Sequence, residues 1–375
     1  MKFRVDRDAF ADAVTWTARA LPNRPPMPVL GGLLLDVDDT RLSVAGFDYE
    51  VSAQVDIEMH AASAGRALVS GRLLADITRS LPPHPVDVAV EGPRMSISCG
   101  NASFQLPTMP VEDYPSLPQM PTTAGAVAAS TFAMAVGQVA VAAGRDDTLP
   151  MLTGVRMEID GERITLAATD RYRLAVRTLR WRPDRPGTST AILVPARTLQ
   201  EAAKTLSSTD DEVVVALSES TAGEGLIGFT SGRRRLTTRL LDAQFPPYQS
   251  LWPAQFNGTC DLPVGPFVEA AKRVSLLADR GTPIRLEFDT GGVTLVAGGD
   301  DGGRAQEHVE VDFAGEPVTI AFNPTFLLDG VTAVDADSAR IAFTTALKPA
   351  VVSAGGDASD DPDYRYLVQP VRLPG

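Results

Sequence analysis

The residues that could do chemistry in this chain are few and stand far apart. His60, His84 and His308 lie in different parts of the 375-residue sequence, and Cys99 and Cys260 are its two cysteines. A zinc site needs three or four nitrogen or sulfur ligands at short spacing, and neither HExxH nor CxxC occurs. GxSxG and Walker sequences do not occur either. The sequence therefore predicts no metal site, no cofactor and no catalytic group.

Two short patterns could bind phosphate. Gly223 to Gly228 matches GxGxxG, whose glycines let a backbone approach a dinucleotide at the start of a helix. The following segment, Phe229 to Arg239, has the pattern of a turn and a strand, so a hairpin is favoured over a nucleotide site. The run Arg233-Arg234-Arg235 could also bind phosphate, but a solvated strand end is the simpler interpretation.

The composition is that of a folded globular protein. Hydrophobic residues make up 44% of the chain and charged residues 22%, which is enough for several cores and too little charge for disorder. The longest mainly apolar stretch, Ala133 to Gly144, is too short to cross a bilayer. We therefore expect a cytoplasmic protein with reduced cysteines. A net charge of −13 argues against a nucleic-acid partner unless the cations cluster on one face.

A stretch in which an apolar strand runs into a turn and a short helix occurs three times. It covers Ala191 to Leu206, Ala67 to Leu81 and Val318 to Val334. Its anchor leucine recurs after 125 residues and then after 128 residues. Such a nearly constant period predicts three copies of one fold.

Each copy has the pattern of seven or eight strands and two helices, with the longer helix first. Two helices on one face of an antiparallel sheet make an α+β domain. We expect three such domains, over residues 1–121, 122–254 and 255–375, with a linker at Gln119 to Ala124. In tandem they would form a curved array with the helices lining one side.

The predicted helices carry a small net positive charge, although the chain as a whole is acidic. Residues 7–20, 71–81, 131–145, 196–206, 265–280 and 324–334 together carry a charge of +3, which leaves −16 for the rest of the chain. This distribution would allow a mildly positive helical surface inside an acidic shell. The alternative is that helix surfaces simply vary by a charge or two.

Three separated motifs resemble one protein family. Leu166 to Val176 (LAATDRYRLAV), Phe245 to Tyr248 (FPPY) and Gln369 to Leu373 (QPVRL) are similar to segments of the bacterial DNA polymerase III beta subunit, the sliding clamp. The resemblance covers the whole chain and includes the threefold repeat. The abundance of Ala, Arg and Asp looks like a clamp from an actinomycete, and the chain could be a divergent or second copy.

This resemblance implies a head-to-tail dimer, whose six domains close into a ring around duplex DNA without catalysis. Weak electrostatics, blind to sequence, suit a protein that must slide. Arg24 should then touch the DNA backbone. Further cations expected to line the DNA are Arg72, Arg79, Arg145, Arg197, Lys204, Lys272 and Arg273. The dimer contact should pair Phe104 and Leu106 of one copy with Leu276 and Leu277 of the next, although a buried role within one domain fits the sequence equally well.

The resemblance also implies a groove for short peptides of DNA polymerases and of the clamp loader. Its expected residues are Leu152, Thr169, Arg171, Tyr172, Arg173, Leu174, Pro246, Leu251, Leu367, Gln369, Pro370, Val371, Arg372 and Leu373. Clamps commonly have Met where this chain has Gln369. A polar amide at an apolar wall should weaken anchoring or reshape the groove. We hypothesise a variant clamp that escapes a peptide-like inhibitor of the same pocket.

Two other classes of function remain open. A three-domain enzyme acting on DNA would need convergent carboxylates with a histidine or a metal, and the sequence offers no recognisable set. A monomeric peptide-binding scaffold would use the same groove without encircling DNA. The oligomeric state would separate that scaffold from a clamp.

Overall fold

The structure, a computed structural model, describes residues 1–206, 212–220, 225–278, 282–299, 303–356 and 363–372. The chain divides into two compact units. The first unit holds Met1–Ser130, Arg182–Arg185 and Glu201–Leu240, and the second holds Thr131–Trp181, Pro186–Gln200 and Leu241–Gly375. Every helix in these described ranges is too short or too polar to span a membrane.

Seven α-helices lie in the described residues. They are α1 (Arg7–Ala18), α2 (Gly71–Ser80), α3 (Ala129–Ala140), α4 (Pro150–Thr153), α5 (Ala196–Leu206), α6 (Val264–Ser275) and α7 (Pro324–Thr332). Short 3-10 turns cover Pro28–Gly31 and Gln249–Leu251. Six of the seven helices correspond to those predicted from the sequence, and the four-residue α4 is additional.

The first helix shows why the sequence pattern predicted it correctly. Phe10, Ala13 and Val14 are buried on one face, at the spacing expected of an amphipathic helix. The helix begins after Asp6, whose carboxylate accepts hydrogen bonds from the backbone amides of Asp8 (3.0 Å) and Ala9 (2.9 Å). The α7 helix begins in the same way, because the Asn323 side chain accepts from the amide of Phe326 at 3.2 Å.

The first unit contains one 14-stranded sheet, in the order β14-β10-β16-β17-β18-β4-β3-β2-β6-β9-β8-β7-β1-β5. Strands are numbered along the whole chain. Those of this unit are β1 (Lys2–Val5), β2 (Gly32–Val37), β3 (Arg41–Phe47), β4 (Val51–Glu58), β5 (His60–Ser63), β6 (Gly65–Ser70), β7 (Val86–Glu91), β8 (Arg94–Cys99), β9 (Ala102–Met109), β10 (Thr122–Ala128), β14 (Arg182–Pro183), β16 (Glu212–Leu217), β17 (Leu226–Ser231) and β18 (Arg234–Arg239).

The second unit contains a nine-stranded sheet, β15-β11-β12-β13-β27-β26-β25-β19-β23, and a four-stranded sheet, β22-β21-β20-β24. Its strands are β11 (Gly154–Asp160), β12 (Arg163–Thr169), β13 (Arg173–Arg180), β15 (Ser189–Pro195), β19 (Gly258–Pro263), β20 (Ile284–Asp289), β21 (Gly292–Gly299), β22 (Gly303–Val309), β23 (Asp312–Ala314), β24 (Val318–Phe322), β25 (Ser338–Phe343), β26 (Ala350–Ala354) and β27 (Tyr364–Val368). All strand pairings recorded in both units are antiparallel, which agrees with the predicted α+β class.

The repeated stretch folds the same way in all three copies. Each is a strand that runs directly into a helix: β6 into α2, β15 into α5 and β24 into α7. The later copies also end alike, because the amide of Leu241 donates to the carbonyl of Leu193 (2.9 Å) and that of Val371 to Ala321 (2.7 Å). The fold is thus built from three tandem domains of one type.

The compact units cut across these repeats. In the first unit, β18 of the second repeat pairs with β4 of the first, and Leu236 lies opposite Ala53. In the second unit, β13 of the second repeat pairs with β27 of the third, and Leu174 lies opposite Leu367. The middle repeat therefore contributes strands to the 14-stranded sheet of the first unit and to the nine-stranded sheet of the second unit.

Several element boundaries differ from the sequence predictions. The expected linker at Gln119 to Ala124 was wrong in part, because Thr122 begins β10, which pairs with β16. The helix expected to reach Arg145 ends at Ala140, after which the chain tightens into i to i−3 bonds from Ala142 and Ala143. The last strand ends at Val368 because Pro370 has no amide proton for a sheet.

The glycine pattern near Gly223 does not open a helix in the part of the chain described. Leu226–Ser231 and Arg234–Arg239 form a hairpin around Gly232, whose φ is 56°. The prediction of a turn and a strand over Phe229 to Arg239 is confirmed. The hairpin turn predicted at the glycine pattern itself falls partly on Gly223 and Glu224, which lie outside the described residues.

Candidate functional site

A tight turn between β12 and β13 carries the most specific motif of the sequence. The Asp170 carboxylate accepts hydrogen bonds from the amides of Tyr172 (3.0 Å) and Arg173 (3.1 Å). The Thr169 hydroxyl donates to the carbonyl of Arg173 at 2.7 Å and accepts from the amide of Arg171 at 3.2 Å. Arg171 has φ of 79°, in the left-handed region that favours glycine. Threonine and aspartate thus hold this turn rigidly from within.

Arg173 ties the turn to α7. Its guanidinium donates to Asp170 (3.0 Å) and to Asp329 (2.5 Å), and its side chain is only 9% exposed. The same group lies 4.3 Å above the ring of Phe326. Burial alone would lower the pKa of Arg173, but Tyr366, Asp329 and Asp170 raise it, so the guanidinium stays charged. The turn and the helix are therefore fixed to each other by a buried cation.

An apolar cluster lies beneath the turn. The cross-strand pair Leu174 and Leu367 is buried together with Phe245 and Tyr248, and Trp252 packs against their cluster. The hydroxyl of Tyr248 donates to Glu158 at 3.1 Å. Burial and the negative charge of Glu158 raise the pKa of Tyr248 well above its ordinary value. This cluster contains two of the predicted groove residues, Leu174 and Leu367.

A cavity of about 880 Å³ opens beside the turn. Leu152, Arg171, Tyr172 and Arg173, all predicted for the groove, line it. Phe326 lines it too, and its ring stacks on that of Tyr172 with centroids 6.3 Å apart. Apolar and charged side chains are mixed in its lining, and the eight charged residues are four arginines and four aspartates.

The remaining predicted groove residues follow the two later motifs. Pro246 is half-buried, and Leu251 is 51% exposed. The amide of Gln369 donates to the carbonyl of Tyr172 at 2.8 Å, which attaches the chain end to the turn. Pro370 is half-buried, while Val371 and Arg372 are exposed. Leu373 lies outside the described residues.

Two contributors to this site were not predicted. Phe326 and Asp329 of α7 reach the turn from more than 150 residues away in sequence. Nothing local in α7 points to them, because Phe326 is half-buried and both residues join the site only through the tertiary fold of the second unit. Arg145 and Arg197, predicted to line DNA, also line the cavity.

The predicted DNA-lining cations are all on the surface. The exposed set is Arg24, Arg72, Arg79, Arg145, Arg197, Lys204, Lys272 and Arg273. Three of them form ion pairs: Arg79 with Asp76, Lys272 with Glu269, and Arg273 with Glu307. Arg72 donates to the Asn23 side chain at 2.8 Å. These pairs are exposed and weak, so an anion could compete for the cations.

The predicted dimer residues differ in their exposure. Leu276 is 84% exposed and Leu277 42% exposed, just past the end of α6. Phe104 is half-buried on β9, while Leu106, on the same face of that strand, is 1% exposed and belongs to the core. Leu106 therefore supports the strand from inside, and the other three present apolar surface.

The described residues bear on two kinds of reactive centre, a metal site and a cysteine nucleophile. No group of three or more His, Cys, Asp or Glu side chains there could hold a metal ion. The cysteines are buried, and burial raises the pKa of the Cys260 thiol to about 12, which disfavours a nucleophilic thiolate.

Family models match the chain in three consecutive parts. The N-terminal domain of the DNA polymerase III beta subunit matches residues 1–118, its central domain 126–247 and its C-terminal domain 249–372.

Relatives of known sequence match over their full length. A beta sliding clamp of Streptomyces coelicolor is 54% identical over 377 residues, which cover all of both chains. The beta sliding clamp homolog GriR of Streptomyces muensis is 43% identical over 376 residues, again with complete coverage. Among solved structures, a Pseudomonas aeruginosa sliding clamp bound to griselimycin has a TM-score of 0.90, with 28% identity and full coverage of both chains. A Bacillus subtilis sliding clamp has a TM-score of 0.91 at 25% identity, covering 100% of this chain and 99% of its own.

Proposed function

The chain belongs to the DNA polymerase III beta subunit family, and from this premise we propose that it is a DNA sliding clamp. Two copies would join head to tail and close a ring around duplex DNA. The ring would tether polymerases and the clamp loader by short peptides, without catalysis, and would work on chromosomal DNA in the cytoplasm.

One observation carries the tethering part of this proposal. The turn of Asp170 and Arg173 stands between the apolar cluster under Leu174 and the cavity beside Tyr172. A partner peptide could place an apolar anchor against such a surface while its backbone met the polar rim. The rigidity of the turn favours binding, because little conformational entropy remains to be lost there.

The DNA-holding part rests on exposed cations in a chain of net charge −13. Arg24, Arg145, Arg197 and Lys204 are exposed and appear in none of the ion pairs recorded among the described residues. Contacts of this kind are weak, sequence-independent and sensitive to salt, as sliding requires. The acidic remainder of the surface would repel DNA and restrict it to these cations.

Mass in solution tests ring formation and separates a clamp from a monomeric scaffold. A clamp should run at about twice the 39.8 kDa of one chain. The double variant Phe104→Ala, Leu277→Ala should halve that mass, because it removes partly exposed apolar area at the proposed contact. Leu347→Ala is the matched control, since Leu347 is a 66% exposed leucine outside the proposed contact. A monomeric wild-type chain would rule out the ring.

A second, narrower candidate is a variant clamp with an altered groove. Gln369 is a half-buried amide at the point where the chain end meets Tyr172. The Pseudomonas aeruginosa clamp that is similar to this chain is bound to griselimycin, and we propose this groove as the site for a ligand of that kind here. Gln369→Met should tighten binding of griselimycin and of an apolar polymerase-tail peptide. Equal affinities for the wild type and the variant would remove the basis for inhibitor escape.

A further inference from the structure

A second cleft, of about 380 Å³, lies between α3 and the C-terminal end of α7 in the second unit. Its apolar lining is made of small or flexible side chains, namely Ala133, Met134, Val141, Ala333 and Val334. Gly137 also lines the cleft and is exposed, and a Cβ atom added to it would meet no heavy atom within 4 Å apart from its neighbours in the helix. The cleft therefore has room beside α3 for a slender apolar chain.

Both charged side chains in this lining are acids. They are Asp329 and Asp335, and the cleft differs in this respect from the cavity at the turn, where arginines and aspartates are equal in number. Asp329 is engaged by Arg173. Asp335 is exposed, and no hydrogen bond or ion pair in the part of the chain described involves its side chain. One carboxylate of the cleft is therefore left without a cation.

The backbone of α7 adds negative potential at the same end, because a helix carries a partial negative charge at its C-terminus. The last turn of α7 contains no basic residue, whereas α2, α5 and α6 end with Arg79, with Lys204, and with Lys272 and Arg273. Of the six helices predicted from the sequence, 324–334 is also the one with a negative net charge, −1. The end of α7 thus lacks the cation that three other helices supply for themselves.

Gln138 contributes an unpaired acceptor to the lining of the cleft. Its side chain donates from Nε2 to the carbonyl of Ala333 at 2.7 Å, and the residue is 4% exposed. Its Oε1 atom is buried and has no hydrogen-bond donor among the described residues. A buried amide oxygen without a donor costs free energy, and its dipole is not offset by a positive partner. The acid, the helix end and this amide therefore all favour positive charge in the cleft.

We propose that the cleft between α3 and α7 binds an alkyl diammonium ion. One ammonium group would lie at Asp335 and the end of α7, the methylene chain would run along Gly137, and the other ammonium group would stay in water. An organic cation is favoured over a metal ion, because no group of three or more His, Cys, Asp or Glu in the described ranges could hold a metal. This site is independent of the proposed function, since it needs neither DNA nor a second copy of the chain.

Saturation-transfer NMR with 1,4-diaminobutane tests this site on the intact protein. The methylene protons of the ligand should receive saturation from the wild type, and a titration gives the dissociation constant. The comparison ligand is 1,4-butanediol, which has the same carbon chain without charge and should receive little saturation at the same concentration. Added salt should weaken binding of the diamine, because its ion pair with Asp335 is exposed.

Variants locate the bound ligand. Asp335→Asn should raise the dissociation constant about two- to fivefold, the range expected of an exposed ion pair. Gly137→Leu should abolish binding, because its side chain would occupy the cleft beside α3. Gly137→Ala fills less of that space and favours the helix, so it should fold and weaken binding partially. Glu316→Gln removes one exposed acid of the same unit outside the cleft and should bind like the wild type.

Four outcomes would overturn the inference. Equal saturation of 1,4-butanediol would mean that charge does not matter. A loss with Glu316→Gln as large as that with Asp335→Asn would mean diffuse attraction to a chain of net charge −13. Unchanged binding by Gly137→Ala, or by a folded Gly137→Leu variant, would place the ligand elsewhere. Displacement of the diamine by Mg²⁺ at matched ionic strength would identify a metal-ion site instead.

Discussion

Two strand pairings join one sequence repeat to the next, and each begins at a turn of the same kind. In the first unit the Asp48 carboxylate accepts from the amides of Glu50 (3.0 Å) and Val51 (2.7 Å), as Asp170 does in the second unit. A residue with positive φ follows each aspartate, Tyr49 at 74° and Arg171 at 79°. The two turns are therefore copies of one device.

The side chains around the turns differ. At the first, the amide of Arg239 donates to Glu50 (3.0 Å), and its Nε donates to the carbonyl of Tyr49 (2.8 Å), so the side chain covers the turn. At the second, the amide of Gln369 makes the equivalent bond to Tyr172, and a neutral side chain stands where Arg239 stands. The long cationic side chain of Arg239 therefore covers the first turn, whereas the shorter neutral side chain of Gln369 stands at the same place in the second.

The charges are also placed differently. At the start of β18, Arg234, Arg235 and the preceding Arg233 pair with acids of the first repeat, and those acids are mostly on the surface. In the second unit the cation is Arg173, which lies inside and is held by two acids next to a large cavity. The comparison teaches that one turn design can be covered by a side chain or can border an open cavity, depending on where its arginine lies.

The largest expected effect on stability is the difference between removing the buried Arg173 and removing the exposed Arg235. Arg173→Ala leaves Asp170 and Asp329 without their cation in a partly buried setting, and should lower the free energy of unfolding by about 3 kcal/mol. Arg235→Ala removes a 43% exposed cation from the corresponding pairing, and should cost no more than about 1 kcal/mol. Urea titration measures both. Equal losses would mean that burial does not distinguish the two regions.

The next test compares Tyr114 and Tyr248, which are buried in corresponding apolar clusters of the first and second units. The buried Tyr114 hydroxyl accepts from the amide of Phe47 at 2.7 Å, so Tyr114→Phe leaves a buried donor unsatisfied and should cost about 2 kcal/mol. Tyr248→Phe removes a part-buried bond to Glu158 and should cost about 1 kcal/mol. Thermal unfolding of the two variants compares them, and the reverse order would contradict this reasoning.

Alkaline pH should lower the free energy of unfolding through ionisation of Tyr114. Burial raises the pKa of Tyr114 to about 12 from an ordinary value of 10.0. Between these values the unfolded chain loses the phenolic proton while the folded chain keeps it, so the unfolded state binds fewer protons and stability falls as pH rises. Tyr114→Phe should flatten the decline between pH 10 and about 12 in unfolding experiments. An unchanged slope would exclude Tyr114 as its source.

The smallest effect concerns the side chain that covers the first turn. Arg239→Gln imitates the second turn, where Gln369 stands at this place, and removes the bond from Nε to Tyr49. The expected loss is below about 1 kcal/mol, since the bond is exposed. Chemical denaturation measures it, with Gln369→Arg as the reciprocal variant. If Arg239→Gln lowered the free energy of unfolding as much as Arg173→Ala, the exposed side chain over the turn would stabilise these strand pairings as strongly as the buried cation, which would contradict this account.

Much of the fold could be predicted from local patterns. The helix of Phe10 and Val14 and the three strand–helix stretches have short-range periodicity, which survives in the structure because each buried face is local. The residue set around Asp170 could be identified because the motif is contiguous in sequence. The end of β27 at Val368 also has a local cause, because Pro370 has no amide proton for a sheet.

The rest depends on contacts that are distant in sequence. The pairing of β18 with β4 makes the compact units cut across the repeats, and no local pattern specifies which sheet edges meet. Asp329 and Phe326 join the site through Arg173, and their own helix gives no sign of it. Leu106 and Phe104 lie on the same face of β9, yet only Leu106 is fully buried. The alternation of side chains along a strand predicts which residues share a face, but it does not predict how much of that face other elements cover.

Retention on DNA of defined topology tests the central claim most directly. The protein is loaded onto nicked circular plasmid by the clamp loader of the same cell, isolated by gel filtration, and half the sample is cut once with a restriction enzyme. A ring should stay on the circle through a wash at moderate salt and leave after the cut, because only topology holds it. Equal loss from circular and linear DNA, or equal retention on both, would contradict the account.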